Sequence, residues 1–173
     1  MQAVFTTVRN TLDPDLARLY RNSQDKVGLH AAIGQGLVSL GKRAFNDANL
    51  RPAPWAKKKD GTDARLRDTG TLAKSPRVTE CNSKGVTVGS DRKYAAIHQL
   101  GGRTPAHVIR PKKGKALKIP GIGFRKSVNH PGSKVPARPY LPFDKNGRST
   151  HQALRMINSV TRARLMRGVK GAS

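Results

Sequence analysis

The alternation of apolar and polar positions is sharpest between Gly70 and Gly102, GTLAKSPRVTECNSKGVTVGSDRKYAAIHQLGG, and the flanking segments attach to it. PRVTEC and KGVTVGS each repeat with period two. Turn residues Asn82-Ser83-Lys84-Gly85 separate Val78 from Val86 and Val88, which predicts a β-hairpin with one buried face. A short helical turn over Arg92–Gln99 follows, with Tyr94, Ile97 and His98 sharing a face, and Gly101-Gly102 stops it.

Upstream the period changes. Asp13-Pro14 reads as a helix start, with Asp as N-cap and Pro where its missing N–H does no harm, and Leu16, Leu19 and Tyr20 form an apolar face. A longer helix is predicted from about Asp25 to Ala48 on Ile33, Leu37, Leu40 and Ala44, with Phe45 adjacent. Gly28, Gly34, Gly36 and Gly41 each weaken it by roughly 1 kcal/mol relative to Ala. A helix that tolerates them packs closely against something. Asn49–Asp68 has the prolines, the lone Trp55 and the Asp-Gly of a loop. Trp55 either anchors this loop on the core or docks on a neighbouring subunit. Lys57, Lys58 and Lys59, with Arg65 and Arg67, form a mobile basic arm or a solvated loop.

Downstream, His107–Ile109 and Ala116–Ile119 read as strands joined at a basic hairpin tip, Pro111–Lys115, which contains Lys112, Lys113 and Lys115. Phe124–Val128 reads as a further strand and Asn129–Gly132 as a turn. Val135–Phe143, with Pro136, Pro139 and Pro142, cannot donate to a central ladder and is an edge or crossing segment. A C-terminal helix opens on a capping box from Ser149 to Gln152, or on Thr150. It would bury Leu154, Ile157, Thr161 and Leu165 and leave a basic outer face. The fold class is α+β: a small, mostly antiparallel sheet, a long N-terminal helix, a C-terminal helix and extended loops. One domain spans 1–173, with N-terminal helices over 12–48, a basic loop over 49–69, a sheet core over 70–143 and a helix over 149–168.

Composition adds two constraints. Apolar residues make up 36% and aromatics 5% of 173 residues, so the core is modest and part of the apolar surface is expected to meet other chains. Thirty-four Lys and Arg face ten Asp and Glu, a net charge of +24, more than solubility requires, and this suits an anionic partner. The lone cysteine, Cys81, forms no intrachain disulfide and reads as a small buried hydrophobe at a strand end. No signal peptide and no membrane span is legible.

Catalytic constellations are missing from the pattern. Glu80 is the only glutamate, the aspartates sit at caps and turns, and the five histidines lack metal-ligand spacing. Gly121-Ile122-Gly123 lacks the third Gly or Lys-Ser of a phosphate loop. No enzymatic activity, cofactor or metal is expected. Nucleic-acid modules are absent too, so any DNA contact runs through phosphates, independently of sequence.

Several phrases together, LRDTGTLAKS (Leu66–Ser75), the hairpin ending VGS, YAAIHQLGG (Tyr94–Gly102) and VPARPYLPF (Val135–Phe143), resemble the phage virion morphogenesis, or tail completion, family. HVIRPKKGKALKIP and VNHPGSKVPARPYL are similar to related head–tail connection and tail-terminator proteins. The resemblance covers roughly Arg65–Phe143. It implies a structural virion subunit in a homo-oligomeric ring, commonly a hexamer, that caps the tail tube and joins it to the head connector. DNA would pass through its lumen. Tyr94 and Ile97 would hold the short helix on the sheet, Gly101 and Gly102 would allow its tight exit, and His98 would hydrogen-bond across that junction. Arg138, held extended between Pro136 and Pro139, either pairs with a neighbour's acid or packs within its own subunit. The alternatives are a free basic DNA-binding protein and a tube-capping subunit of a headless tail-like particle.

Overall fold

The structure, a computed structural model, describes residues 14–112 and 114–169. Two helices open it, α1 (Pro14–Gln24) and α2 (Lys26–Arg43). Asp13, the expected cap of α1, lies outside the described residues. Asp25 separates the helices and caps α2, accepting from the Gly28 N–H at 2.9 Å. Its carboxylate also meets Arg164 of the C-terminal helix at 2.5 Å. The Arg164 hydrogen bond, then the Gly28 amide, hold the Asp25 carboxyl below its usual pKa. The long helix ends at Arg43, earlier than its apolar period suggests, and a 3-10 turn over Ala48–Leu50 takes the chain into the loop.

After α3 (Thr71–Lys74), β1 (Arg77–Asn82) and β2 (Gly85–Gly89) form the expected antiparallel hairpin, with a bulge between Val78 and Glu80. It lies on one side of α2, and α5 (His151–Leu165) lies on the other. The glycines of α2 explain how both approach so closely. A methyl group at Gly34 would stand 2.6 Å from Cγ2 of Val86 and 2.8 Å from Val78, and one at Gly36 would collide with the Met156 thioether. Val78 and Val86 are stiff at χ1, whereas a methionine swings aside. Gly34→Ala is therefore expected to be destabilising, with about 1–3 kcal/mol of overpacking against up to about 1 kcal/mol of helix propensity. Gly36→Ala should be close to neutral. Denaturant unfolding of both variants checks the order, and a Gly34→Ala protein as stable as Gly36→Ala contradicts the close hairpin contact.

The core has two adjoining parts. One joins Leu37, Leu40, Ala44, Leu50 and Ala153, and the other joins Phe45, Leu72, Ala73, Ala95 and Tyr140. Each buried Leu or Phe contributes about 1.5–3 kcal/mol. Helix α5 is capped by Thr150, whose hydroxyl accepts from Ala153 N at 3.2 Å, rather than by Ser149. Its inward face also differs from the expected one. Ala153 is fully buried and Met156 and Ile157 are half-buried, while Leu154 points outward. Ala153 packs with Leu37, Leu40, Ala44 and Leu50, while the glycine of α2 that faces α5, Gly36, meets Met156.

The remaining strands form no common sheet. Four separate two-stranded antiparallel ladders are present, so the fold is α+β with ribbons instead of one small sheet. After α4 (Ala95–Leu100), β3 (Gly102–Arg103) pairs with β8 (Lys134–Val135), and β4 (His107–Ile109) pairs with β7 (Val128–His130). β5 (Leu117–Ile119) and β6 (Gly123–Arg125) close the end. Residues 102–135 thus make one ribbon folded back on itself. The strands expected to be joined at Pro111–Lys115 are not partners: that segment carries the chain from the outer ladder to the inner hairpin. The expected strand at 124–128 is divided between β6 and β7, and the turn at 129–132 begins only at Pro131. Local alternation marks these strands but is silent on pairing, because three-residue strands match several registers.

Candidate functional site

Motif residues and basic loop meet where the loop crosses α4. Helix α4 buries Ala95 against the body, and Tyr94, just before it, is 42% exposed with its ring edge-on to His98 at 6.0 Å. Gly101 leaves the helix at φ 73°, ψ −178°, a conformation open essentially to glycine alone. A side chain there would press on Ala137 N at 2.8 Å. Ile97 lies against Gly102 at the same exit.

Residues 136–142 cross this junction without a strand partner, Phe143 bridges Ser149, and side chains satisfy much of the run's backbone. Gln99 accepts from the N–H groups of Tyr140 and Leu141, both at 3.0 Å, and donates to Phe143 O at 3.1 Å. Trp55 donates its indole N–H to Pro139 O at 2.7 Å. Arg138 N donates to His98 O at 2.7 Å. Gln99 was not singled out from the sequence. The available signal was an amide side chain inside an otherwise apolar turn, beside a proline run with backbone groups left to pair. The expected His98 contact across the junction exists through its main chain. Its ring Nδ1 is buried without a hydrogen-bond partner among the described residues. Burial first, then nearby Arg138, lower the His98 pKa, so the ring is neutral at physiological pH.

The basic loop is fastened to the body. Trp55 packs edge-on against Phe45 at 5.8 Å, and the Arg51 guanidinium stacks over its ring at 3.8 Å. This resolves the choice for Trp55 in favour of its own core. Arg138 donates to Ala56 O at 2.9 Å and Lys57 O at 3.1 Å, so within the chain it is used as a clamp. Arg67 reaches the Asn46 side chain. Between these ties, Lys57, Lys58 and Lys59 are exposed around a turn in which Lys58 N bonds Thr62 O at 2.9 Å. Leu66 takes a left-handed backbone, φ 49°, and packs into the second core cluster between Arg65 and Arg67. Arg138→Ala is expected to release the loop, and brief trypsin digestion should then cut at Lys57–Lys59 well before wild type is cut. Equal digestion would show that Trp55 alone holds it.

Together Lys58, Arg65, Arg67, Tyr94 and His98, with one acid, Asp68, line an open cleft of about 490 Å³. The structure brings part of the basic loop to the YAAIHQLGG motif, a placement that spacing alone does not reveal. The other basic group is elsewhere: Lys112 and Lys115 lie on the 102–135 ribbon, and Lys113 falls outside the described residues. Within the crossing run Pro136 is exposed, whereas Pro139 and Pro142 are buried. Cys81 is only half-buried, its thiol 3.7 Å from Val27 O.

This arrangement serves positioning. A short helix, a crossing run and a loop are locked together by amide, indole and guanidinium hydrogen bonds around a cationic cleft, the architecture of a binding or assembly protein. The family model for the phage virion morphogenesis family matches residues 7–165, and the chain belongs to that family. The family is of structural type, with a role in phage morphogenesis. No curated protein and no solved structure matches the chain. Among the described residues no helix is long and apolar enough to cross a membrane.

Proposed function

We propose that this protein is the tail completion, or terminator, subunit of a tailed phage: a single domain that assembles into a ring, most simply a hexamer, at the head–tail junction. The ring caps the tail tube, joins it to the head connector and surrounds the DNA path. Family membership supports the morphogenetic role. The observation that carries the oligomeric part is the uncovered apolar face of α1, where Leu16 is exposed and Tyr20 is 67% exposed beside an open apolar groove. The sequence period marks this face for burial, and none of the described residues covers it, which suits a subunit surface. The cationic cleft at Lys58, Arg65 and Arg67 suits an acidic partner surface or phosphate. A tube-capping subunit of a headless particle would present the same surfaces.

Negative-stain microscopy of particles assembled without this protein tests the reading. Unjoined heads and tails, or tails of irregular length, are expected, and normally joined infectious particles would refute it. Light scattering on the purified protein should find a ring-sized species, and Tyr20→Glu should shift it to monomer.

A further inference from the structure

The chain's charge is divided unevenly. Its first 91 residues hold fifteen Lys and Arg against nine acids, while residues 92–173 hold nineteen against one, Asp144. The ribbon from Gly102 to Val135 lies inside the second part and carries nine Lys and Arg and no acid. Among the described residues, ion pairs use Arg18, Arg77, Arg92 and Arg164, none of them on the ribbon. Its cations stand on both strands, Lys115 and Lys118 going out and Arg125 and Lys126 returning. They flank a tip in which Ile122 is 59% and Phe124 67% exposed. Gly121 and Gly123, at φ 75° and 90°, form the turn, with open space where their side chains would be.

We propose that this ribbon is a duplex-DNA-binding arm, with its lysines and arginines along the phosphates and Ile122 and Phe124 as an apolar wedge at the minor groove. Duplex DNA carries a charge every ~1.7 Å and rewards cations spread along an extended element. Protein interfaces instead deplete lysine, and six of the nine ribbon cations are lysines. An exposed Phe and Ile at the end of such an element match the side chains that unstack base steps. Its cations are assigned to the phosphates, which carry no sequence information, so this part of the binding is independent of sequence. The inference concerns the chain by itself and does not depend on the head–tail placement.

The test measures binding of the full chain to a short labelled duplex by fluorescence anisotropy over a range of salt. Replacing Lys112, Lys115, Lys118 and Lys126 with Ala should lower the slope of log affinity against log salt by about 3–4, at about 0.9 for each phosphate contact. Replacing Lys145, Arg155, Arg162 and Arg167 with Ala removes equal charge from the α5 region and should lower it by less than about 1. Ile122→Ala with Phe124→Ala should weaken duplex binding about tenfold and reduce the bend of an end-labelled duplex in energy transfer. All these side chains are exposed, so melting midpoints should match wild type. Equal slope changes in the two charge variants would mean bulk attraction and overturn the arm. Tip variants that leave bending unchanged would overturn the wedge. Ribbon variants that bind DNA normally but alter the oligomer would assign the ribbon to a neighbouring copy. Failure of the head–tail reading would appear in particle microscopy instead, separately from any of these.

Discussion

Gly101→Ala lowers stability by about 3–5 kcal/mol, and the melting midpoint by about 10 °C for a chain of this size. Two terms combine. The backbone at φ 73°, ψ −178° costs a residue with a side chain about 1–3 kcal/mol. The added methyl meets main chain, Ala137 N at 2.8 Å and Val135 O at 3.2 Å, which cannot swing aside as a long side chain would. Gly147 separates the terms. It has nearly the same φ, 76°, with nothing near its missing side chain, so Gly147→Ala should cost only about 1–2 kcal/mol. If the two variants melt together, the α4 exit is not pressed against the crossing run. The consequence reaches the cleft, because the same junction positions His98 and Tyr94.

The second large effect is at Tyr140, 1% exposed and 4.9 Å from Phe45 between ring centres. Tyr140→Ala should cost about 3–5 kcal/mol, as expected when a buried aromatic leaves a cavity. Tyr140→Phe should cost about 1 kcal/mol, the value of one hydroxyl hydrogen bond. Denaturant midpoints with unchanged slopes measure both, and a loss below about 1 kcal/mol for the alanine variant would remove Tyr140 from the core. The pair also differs with pH. Burial raises the Tyr140 phenol pKa, partly countered by a hydrogen bond with Ser90. The folded state thus holds this proton more tightly than the unfolded chain. The associated stability is present below the unfolded value of 10.0 and lost as pH rises through the higher folded value. Wild type should lose more stability than Tyr140→Phe above that pH.

Much of the local structure was legible in order of strength of pattern. The 77–89 hairpin had period-two valines and a four-residue turn, and it formed as read. The glycines of α2 announced close packing, and Gly34 and Gly36 are the points where the hairpin and α5 press in. The ribbon was misread because its strands are three residues long or shorter, and its pairing partners lie up to 33 residues apart. The inward face of α5 shifted from Leu154 to Ala153, which joins Leu37, Leu40, Ala44 and Leu50 in the core, because neighbouring positions on a helix compete for one face and packing rather than hydrophobicity chose between them. At the cleft, Tyr94, His98 and the basic loop were each noticed, but their meeting was not, because Trp55 and Arg138 make it through backbone carbonyls that carry no residue-specific signal.

By itself the sequence determined every helix but the short α3, the first hairpin, the thin core, the excess of cations and, through the order of its motifs, the family. These depend on spacing within a few residues or on composition, and both are local properties. Only the tertiary structure decided that the strands divide into ribbons, that Gln99 and Trp55 satisfy the crossing run, and that a basic loop closes over α4. These depend on which distant backbone groups and notches come within hydrogen-bonding or van der Waals reach, and residue type alone does not encode that distance.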